Sequence, residues 1–319
     1  MSHQSCFRDL FRTAAAVAVF LGLFSASARA DWQDDIGTFR IGVVAEPGAG
    51  NSVPGLSVLT KAYSMALGMK VEFLVAPDYA TLIEAQTAGR VEYAIYSALA
   101  YAAAAERCDC IEPLAAPTDS DGAIGFRSIL VTRDGKVPSL QAMGSHRIAV
   151  GAPGSIAGWL LPLAELASQL PSVPGEGQIL EHAPSASAAE TMLIEGKVDA
   201  VFGWSPSGED NLEALTAGTV ARLREAGVAE GSLQVVWKSG LLRYGPHAVM
   251  KTLDPEAKRR LGVFLTNLKQ QTPETYDLLE PRHSGGFVAV KHSDYTVAAK
   301  LLGRISRNGD EGENDKPEP

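Results

Sequence analysis

The sequence predicts an α/β protein built as two similar halves, and three observations carry that reading. Short β-rich runs alternate with helical stretches along most of the chain, at the spacing of βαβ units on a parallel sheet. The 319 residues suffice for two domains at roughly 100–200 residues each. Two phrases also echo each other, Ala88-Gly89-Arg90-Val91-Glu92-Tyr93-Ala94 and Glu195-Gly196-Lys197-Val198-Asp199-Ala200-Val201. Each runs from a helix end through a glycine stop and a base into a strand.

The first thirty residues read as a label. Arg8 and Arg12 precede the apolar run Ala14 to Phe24, and small residues follow up to Ala28-Arg29-Ala30. This is the pattern of a cleaved secretory signal over residues 1–30, with Asp31 the first mature residue. The apolar run falls short of the roughly 20 residues that span a bilayer, and no cysteine stands at the cleavage point to carry a lipid. The mature chain is therefore expected in the periplasm. There Cys108 and Cys110 meet an oxidising compartment, where they form a tight C-x-C disulfide or stay free.

Strands are expected at 39–44, 71–75 and 91–96, interleaved with helices at 55–67, 79–88 and 98–106. Asp78 is placed to cap the second helix and Gly89 to stop it. A second series begins near Phe126, with strands at 128–132 and 146–150. A helix then opens at Ser155 and runs through Leu170. Strands at 178–182, 198–202 and 233–237 follow, separated by helices at 185–195 and before Gly227. The chain closes with a strand at 246–250 and helices at 255–270 and from Ser293 to about Arg304. Residues 307–319 lack an apolar face and read as a disordered tail.

The composition excludes several classes. With 28 Lys+Arg against 37 Asp+Glu and a pI near 5.2, the chain lacks the clustered basic surface of a nucleic-acid binder. A mean hydropathy of +0.02 with 20% charged residues excludes a polytopic membrane protein and a largely disordered chain. No two mature histidines have i, i+4 spacing and none neighbours the cysteines, so no metal site and no cofactor are expected. Gly48-Ala49-Gly50 starts a dinucleotide-type loop, but Val53 stands where its third glycine belongs. A hydrolase nucleophile elbow needs glycines two places either side of Ser155, where Pro153 and Ala157 stand. The sequence offers no nucleophile–base pair, so an enzyme is not expected.

What remains is a binding cleft. Pro153-Gly154-Ser155-Ile156-Ala157-Gly158 follows a strand and opens a helix, where free N–H groups and the positive helix end suit an anion or an ordinary serine cap. Tyr79, Tyr96, Tyr101, Phe126, Trp159 and Trp204 fall near strand ends or first helical turns, where open α/β sheets gather ligands.

Over roughly residues 38–303 the chain resembles the periplasmic phosphate/phosphite/phosphonate-binding proteins of ABC importers, the phosphonate-binding family with a type II periplasmic-binding fold. The resemblance rests on Asp78-Tyr79-Ala80, Gly89 to Ala94, Phe126 to Val131, Gly151 to Gly158, Gly196 to Ala200, and Trp237-Lys238-Ser239 leading to Gly245-Pro246. It implies a two-lobed protein, each lobe a mostly parallel sheet flanked by helices. Residues 31–126 with 246–306 form the first lobe and 127–245 the second. A small ligand is trapped between them and handed to an ABC permease in the inner membrane. A monomer is expected.

The family's ligand positions carry over unevenly. Its first-lobe tyrosine is Tyr79, and its second aromatic is Phe126 here. Its Ser-Thr-Ser run becomes Ser155, Ile156 and Ala157, its histidine falls on Ala186, and its aspartate before the return-strand proline falls on Gly245. A hydrogen bond to a charged group contributes about 1.5–3 kcal/mol, so the resemblance implies a diverged, less polar pocket and a less charged ligand than a phosphonate. Tyr79, Phe126, Ser155 and the amides of Ile156, Ala157 and Gly158 are the expected cleft, with Tyr96, Tyr101 and Trp204 around it. The alternative is a periplasmic sensor partnering a histidine kinase, reading arsenite or another oxyanion through Cys108 and Cys110.

Overall fold

The computed structural model describes residues 32–45, 52–169, 179–208 and 217–314, with side chains to residue 307. The expected signal segment and the Gly48-Ala49-Gly50 loop lie outside the described residues. The chain divides at Gly37 into two compact units. In the first, a single helical turn, α1 (Trp32–Ile36), ends at Gly37, whose left-handed N–H donates to the Gln33 carbonyl at 2.8 Å.

The second unit begins β1 (Thr38–Val44), α2 (Leu56–Leu67), β2 (Lys70–Ala76), α3 (Tyr79–Thr87), β3 (Tyr93–Ile95), α4 (Ala98–Cys108) and β4 (Ile111–Thr118). It crosses to β5 (Gly125–Arg133) and β6 (Ile148–Val150), then a π-wound turn, Ile156–Leu160, leads into α5 (Leu161–Leu166). Next come β7 (Leu180–His182), α6 (Ala186–Ile194), β8 (Ala200–Ser207), α7 (Gly218–Glu225), β9 (Leu233–Lys238) and β10 (Leu242–Arg243). The chain returns through β11 (His247–Met250), α8 (Pro255–Gln271), α9 (Pro273–Leu279), β12 (Gly286–Ala289) and α10 (Thr296–Asn314).

These strands form two sheets, ordered β12-β4-β11-β3-β1-β2 and β10-β5-β8-β6-β7, with β9 also on β5. Each holds one parallel trio, β3-β1-β2 or β8-β6-β7, as βαβ units require. The expectation of mostly parallel sheets is corrected here, because both sheets are mixed. Each takes in a strand that arrives from the other half, β11 or β5, and that strand runs antiparallel to the trio. The fold is the type II periplasmic-binding architecture. Phe126 pairs with Pro206 and Leu242 within β5, so it belongs to the second sheet rather than closing the first.

The echoed phrases build the same corner twice. Gly89 and Gly196 take φ of 70° and 71°. Arg90 N–H bonds the Ala85 carbonyl and Lys197 N–H the Met192 carbonyl, the six-to-one bond of a glycine-stopped helix. Three residues past each glycine an acid reaches across to the first strand. Glu92 accepts from Arg40 N–H at 2.6 Å, and Asp199 from Arg147 N–H at 3.1 Å. Asp78 and Ser185 cap the equivalent helices through Thr81 and Ala188 N–H.

Alternation along β5 sends Leu130 to one face of its sheet, with Ile148, Phe202 and Trp237, and Ile129 and Val131 to the other, with Ala149, Leu193 and Leu223. A further core gathers Leu82, Tyr96, Tyr101 and Leu301 of the first half together with Leu161 and Leu242 of the second. Five elements go beyond the sequence expectation: α1, β4, β10, α9 and β12. At the C-terminal end, α10 continues through residues 307–314, where no structure was expected. Once a helix is nucleated each added residue gains one bond, so an end can extend without an apolar face. Residues 315–319 lie outside the described range.

Candidate functional site

The two crossings between the sheets run side by side. Tyr244 N–H donates to the Ile124 carbonyl at 3.0 Å, and Gly125 pairs with Arg243. Both crossings need glycine for close approach. A Cβ on Gly125 would lie 2.3 Å from the Leu242 carbonyl oxygen, and one on Gly245 only 1.9 Å from that of Tyr96. Tyr96 N–H in turn donates to the Pro246 carbonyl, and the Tyr295 hydroxyl donates to the Tyr244 carbonyl, each at 3.0 Å. The end of β3 is thus fastened to the returning chain.

Beside this crossing, apolar side chains of both halves share one core cluster. Tyr79 opens α3, and its ring lies 6.5 Å from that of Tyr96. Its hydroxyl reaches Ser97, which caps α4. Phe126 and Ile156, both half-buried and both from the second half, pack against the cluster that contains Tyr96. Tyr96 is 3% exposed, yet its hydroxyl has no hydrogen-bond partner among the described residues. Burial pushes its ionisation up, so the group is a neutral phenol able to donate. A cavity of about 280 Å³ adjoins Tyr79 in the first half, lined by Val43, Val44, Leu59, Ile95 and Leu278 among others.

The Ser155 turn is built as a cap. Ser155 Oγ accepts from Gly158 N–H at 3.1 Å, and Gly151 donates to the Gly158 carbonyl at 2.9 Å. Gly151 and Gly158 touch so closely that a Cβ on either would meet the other or Ser155 within 3.0 Å. The helix expected to run from here is wound wide at its start. Leu160 N–H bonds the Ser155 carbonyl, five residues back, before the α-helix sets in and runs to Leu166. With Gly158 N–H taken by the serine, the amides of Ile156 and Ala157 are the first-turn donors without an intrahelical partner. The Ala157 carbonyl accepts from the buried Ser128 hydroxyl, which anchors the turn to β5.

A second, polar cavity of about 260 Å³ lies at the crossings. Phe126, Trp204, Pro206 and Ala217 of the second half line it opposite Asp119, Asp121, Arg282 and His283, with Tyr244 from the returning crossing. Asp119 organises this space. One of its oxygens accepts from the Tyr244 hydroxyl and the other bonds His283 Nδ1 at 3.0 Å, which stacks the two rings 4.0 Å apart. Burial and this carboxylate hold the Tyr244 phenol protonated, well above its usual range. Trp204 carries the Arg222 guanidinium 5.6 Å over its ring, and Glu190 holds that arginine at 2.9 Å.

Of the eight expected ligand residues, Tyr79 lines the apolar cavity and faces Tyr96; Phe126 and Ile156 pack against the cluster that holds Tyr96; and Trp204 lines the polar cavity with Phe126. Ser155 and Ala157 form the adjoining turn. Tyr101 is corrected to a core position: it is wholly buried, its hydroxyl bonds His292 at 2.9 Å, and its ring packs on Tyr295 at 4.8 Å. Cys108 and Cys110 are joined in a disulfide, so the reduced thiol pair on which an arsenite site would rest is not offered. Ala186 is exposed at the first turn of α6. Sequence reasoning missed Asp119, Tyr244, Arg282 and His283. They are far apart in the chain and meet only through the crossings, and no local spacing signals that.

A family model described as "ABC transporter, phosphonate, periplasmic substrate-binding protein" matches residues 41–295. The "Phosphonates-binding periplasmic protein" of Escherichia coli is 26% identical over 282 residues, covering 83% of this chain and 77% of that protein. The "Phosphate-import protein PhnD" of Mycolicibacterium smegmatis is 25% identical over 254 residues, covering 74% and 76%. Among solved structures, XAC2383 from Xanthomonas citri bound to ATP superposes with a TM-score of 0.54 at 18% identity, over 86% of this chain and 98% of that one. That likeness is one of fold.

Proposed function

The chain belongs to the family of periplasmic substrate-binding proteins of phosphonate ABC transporters, and from that premise we propose that it captures a small, less charged ligand than a phosphonate between its two halves. Exported by cleavage after Ala30, the monomer closes on the ligand and presents it to an inner-membrane permease. Its relatives are substrate-binding proteins, and the same non-enzymatic role is proposed here. Ligand binding favours the closed arrangement by the difference in affinity between open and closed states.

The observation that carries this reading is the Tyr96 hydroxyl, buried beside the Tyr79 ring and without a partner among the described residues, in the cluster against which Phe126 and Ile156 of the second half pack. A buried polar group left unsatisfied costs about 1–3 kcal/mol, and a guest with an acceptor atom would relieve that cost. The diverged chemistry of the helix start supports the smaller charge. Ser155 is engaged in its own cap, while Ile156 brings a hydrocarbon face in place of a hydroxyl. A Cβ on Gly245 would lie 1.9 Å from the Tyr96 carbonyl oxygen, which supports a pocket without the aspartate that the resemblance implies at this position.

The test is a native mass measurement on protein purified from its periplasm, looking for a retained small molecule. A bound mass present in the parent and lost in Tyr96→Phe is expected. An empty parent protein, or specific tight thermal stabilisation by methylphosphonate or phosphite, counts against the reading.

A further inference from the structure

The charge of the polar cavity narrows the ligand class, an inference that rests on the cleft reading above. Its lining brings two carboxylates, Asp119 and Asp121, against one guanidinium, Arg282, and one imidazole, His283. Among the described residues, the lining carries one excess negative charge with His283 neutral, and the charges balance with it protonated. In neither state does the lining present the surplus of positive charge that a desolvated dianion requires. Each Asp119 oxygen takes one donor, from Tyr244 or His283, and keeps a further lone pair. Asp121 accepts from Ala123 N–H at 3.2 Å within its own loop. The remaining walls are the rings of Phe126, Trp204 and Tyr244. Trp204 already carries the Glu190-paired Arg222 on one face and Tyr244 stacks on His283, so cation attraction is left to the Phe126 ring and the other ring faces.

We infer that the guest carries an organic ammonium group, placed in the crossing cavity against Asp119 and Asp121 between these rings. Arg282 receives an anionic end where the ligand has one. A guest bound here touches both crossings at once, through Asp119 and Asp121 on one and Tyr244 on the other. The ammonium group would therefore bind where the two halves hinge.

The experiment is calorimetric titration of the mature protein with choline, glycine betaine and methylphosphonate. These probes present an ammonium alone, an ammonium with a carboxylate, and an anion alone. Both ammonium probes are expected to bind at least about tenfold more tightly than methylphosphonate, which is about 1.4 kcal/mol. Asp121→Asn should weaken both of them several-fold, whereas Arg282→Gln should weaken glycine betaine and spare choline. Tighter binding of methylphosphonate, no binding of either ammonium probe, or Asp121→Asn leaving both affinities unchanged would each overturn the inference. Methylphosphonate binding that is lost in Tyr96→Phe would end the ammonium assignment while keeping a ligand in the cleft. If all three probes fail, the ammonium assignment falls, and the retained mass decides separately whether the cleft reading survives.

Discussion

Asp78, Glu92 and Arg40 in the first half have their counterparts in Ser185, Asp199 and Arg147 in the second, and they make the same cap and the same cross-strand bond. Around this shared frame the aromatic residues divide unequally. No tyrosine of the eight falls between residues 127 and 243, whereas Trp159, Trp204 and Trp237 do. The first half places Tyr79 at the opening of its helix, where the second half places Ala186. The lesson is that a repeated frame fixes where a cleft lies, while the unrepeated side chains decide what enters it. Phenol absorbance therefore reports no residue between 127 and 243, while indole fluorescence comes from the second half at three of the four tryptophans, Trp32 being the exception.

The largest effect is expected where the halves cannot be exchanged at all. Gly245→Asp would restore the acid typical of the family, but its Cβ would lie 1.9 Å from a backbone oxygen that no rotamer can move. A loss of more than about 4 kcal/mol is expected, enough to remove a marginal fold. Circular dichroism of the purified variant checks this. A folded Gly245→Asp protein would show that the crossing is looser than described.

Alkaline pH should then separate the halves. Burial raises the phenols of Tyr63, Tyr93, Tyr96 and Tyr295, and Tyr276 is pushed up to about 12. A group with a raised native value contributes stability in full below its ordinary value, near 10 for tyrosine, and loses it as pH rises through the native value. Most of the phenolate absorbance should therefore stay absent near pH 10 and emerge cooperatively above it, with unfolding of the tyrosine-bearing half. Smooth titration of most phenols near pH 10, with indole emission unchanged, would contradict the burial.

The equivalent core positions divide their volume differently. In the first half Gly42 faces Leu82, with a Cβ position only 2.4 Å from Leu82 Cδ1. In the second half Ala149 and Ala189 share the same cluster. Leu82→Ala should cost about 2–5 kcal/mol for the lost contacts and the cavity. Adding Gly42→Ala should return part of that, because the pair then has the composition of its counterpart. Urea midpoints of the two proteins measure the difference, and a double variant no more stable than Leu82→Ala would break the equivalence.

The corner acids differ in degree. Glu92 holds Arg40 through both its backbone N–H and its guanidinium, each at 2.6 Å, and its side chain is 14% exposed. Asp199 holds the Arg147 N–H at 3.1 Å, with His146 and Lys136 at 3.5 and 3.7 Å, and is 23% exposed. Glu92→Gln is expected to cost about 1–2 kcal/mol and Asp199→Asn about half of that, because charge-assisted bonds weaken with distance and exposure. Equal costs would mean that the corners differ in geometry alone.

Much of the frame was legible because it is written locally. Asp78 and Ser185 are caps by residue type, and Gly89 and Gly196 are stops that only a left-handed backbone explains. Strand β4 was not legible, because Pro113, Ala115, Ala116 and Pro117 argue against a strand. It is tolerated between β11 and β12, where the pairing slips at His247 and Ala248, the latter opposite Pro113. The strand-end and helix-start positions of Tyr79 and Tyr96 were readable, and their rings face each other. The polar cavity was not, because Asp119, Tyr244 and His283 are brought together by the crossings rather than by any pattern along the chain. Tyr101 misled for the opposite reason: its position at a helix start matches a cleft residue, but α10 and His292 cover it.

The smallest expected effect completes the comparison. Ala186 is exposed at the first turn of α6, and Ser185 caps that turn through Ala188 N–H at 3.1 Å whatever side chain follows it. Ala186→His restores the histidine typical of the family without disturbing a buried contact, so stability should change by no more than about 0.5 kcal/mol. Affinity for methylphosphonate should also stay unmeasurably weak. On the proposed reading, one imidazole does not offset the apolar side chains at Ile156 and Ala157 or the absence of a side chain at Gly245. Thermal denaturation with and without methylphosphonate checks both parts. Strong stabilisation of Ala186→His by that ligand would mean that the pocket diverged at one position rather than across the whole helix start, and the two halves would then be more nearly equal partners in binding than their side chains suggest.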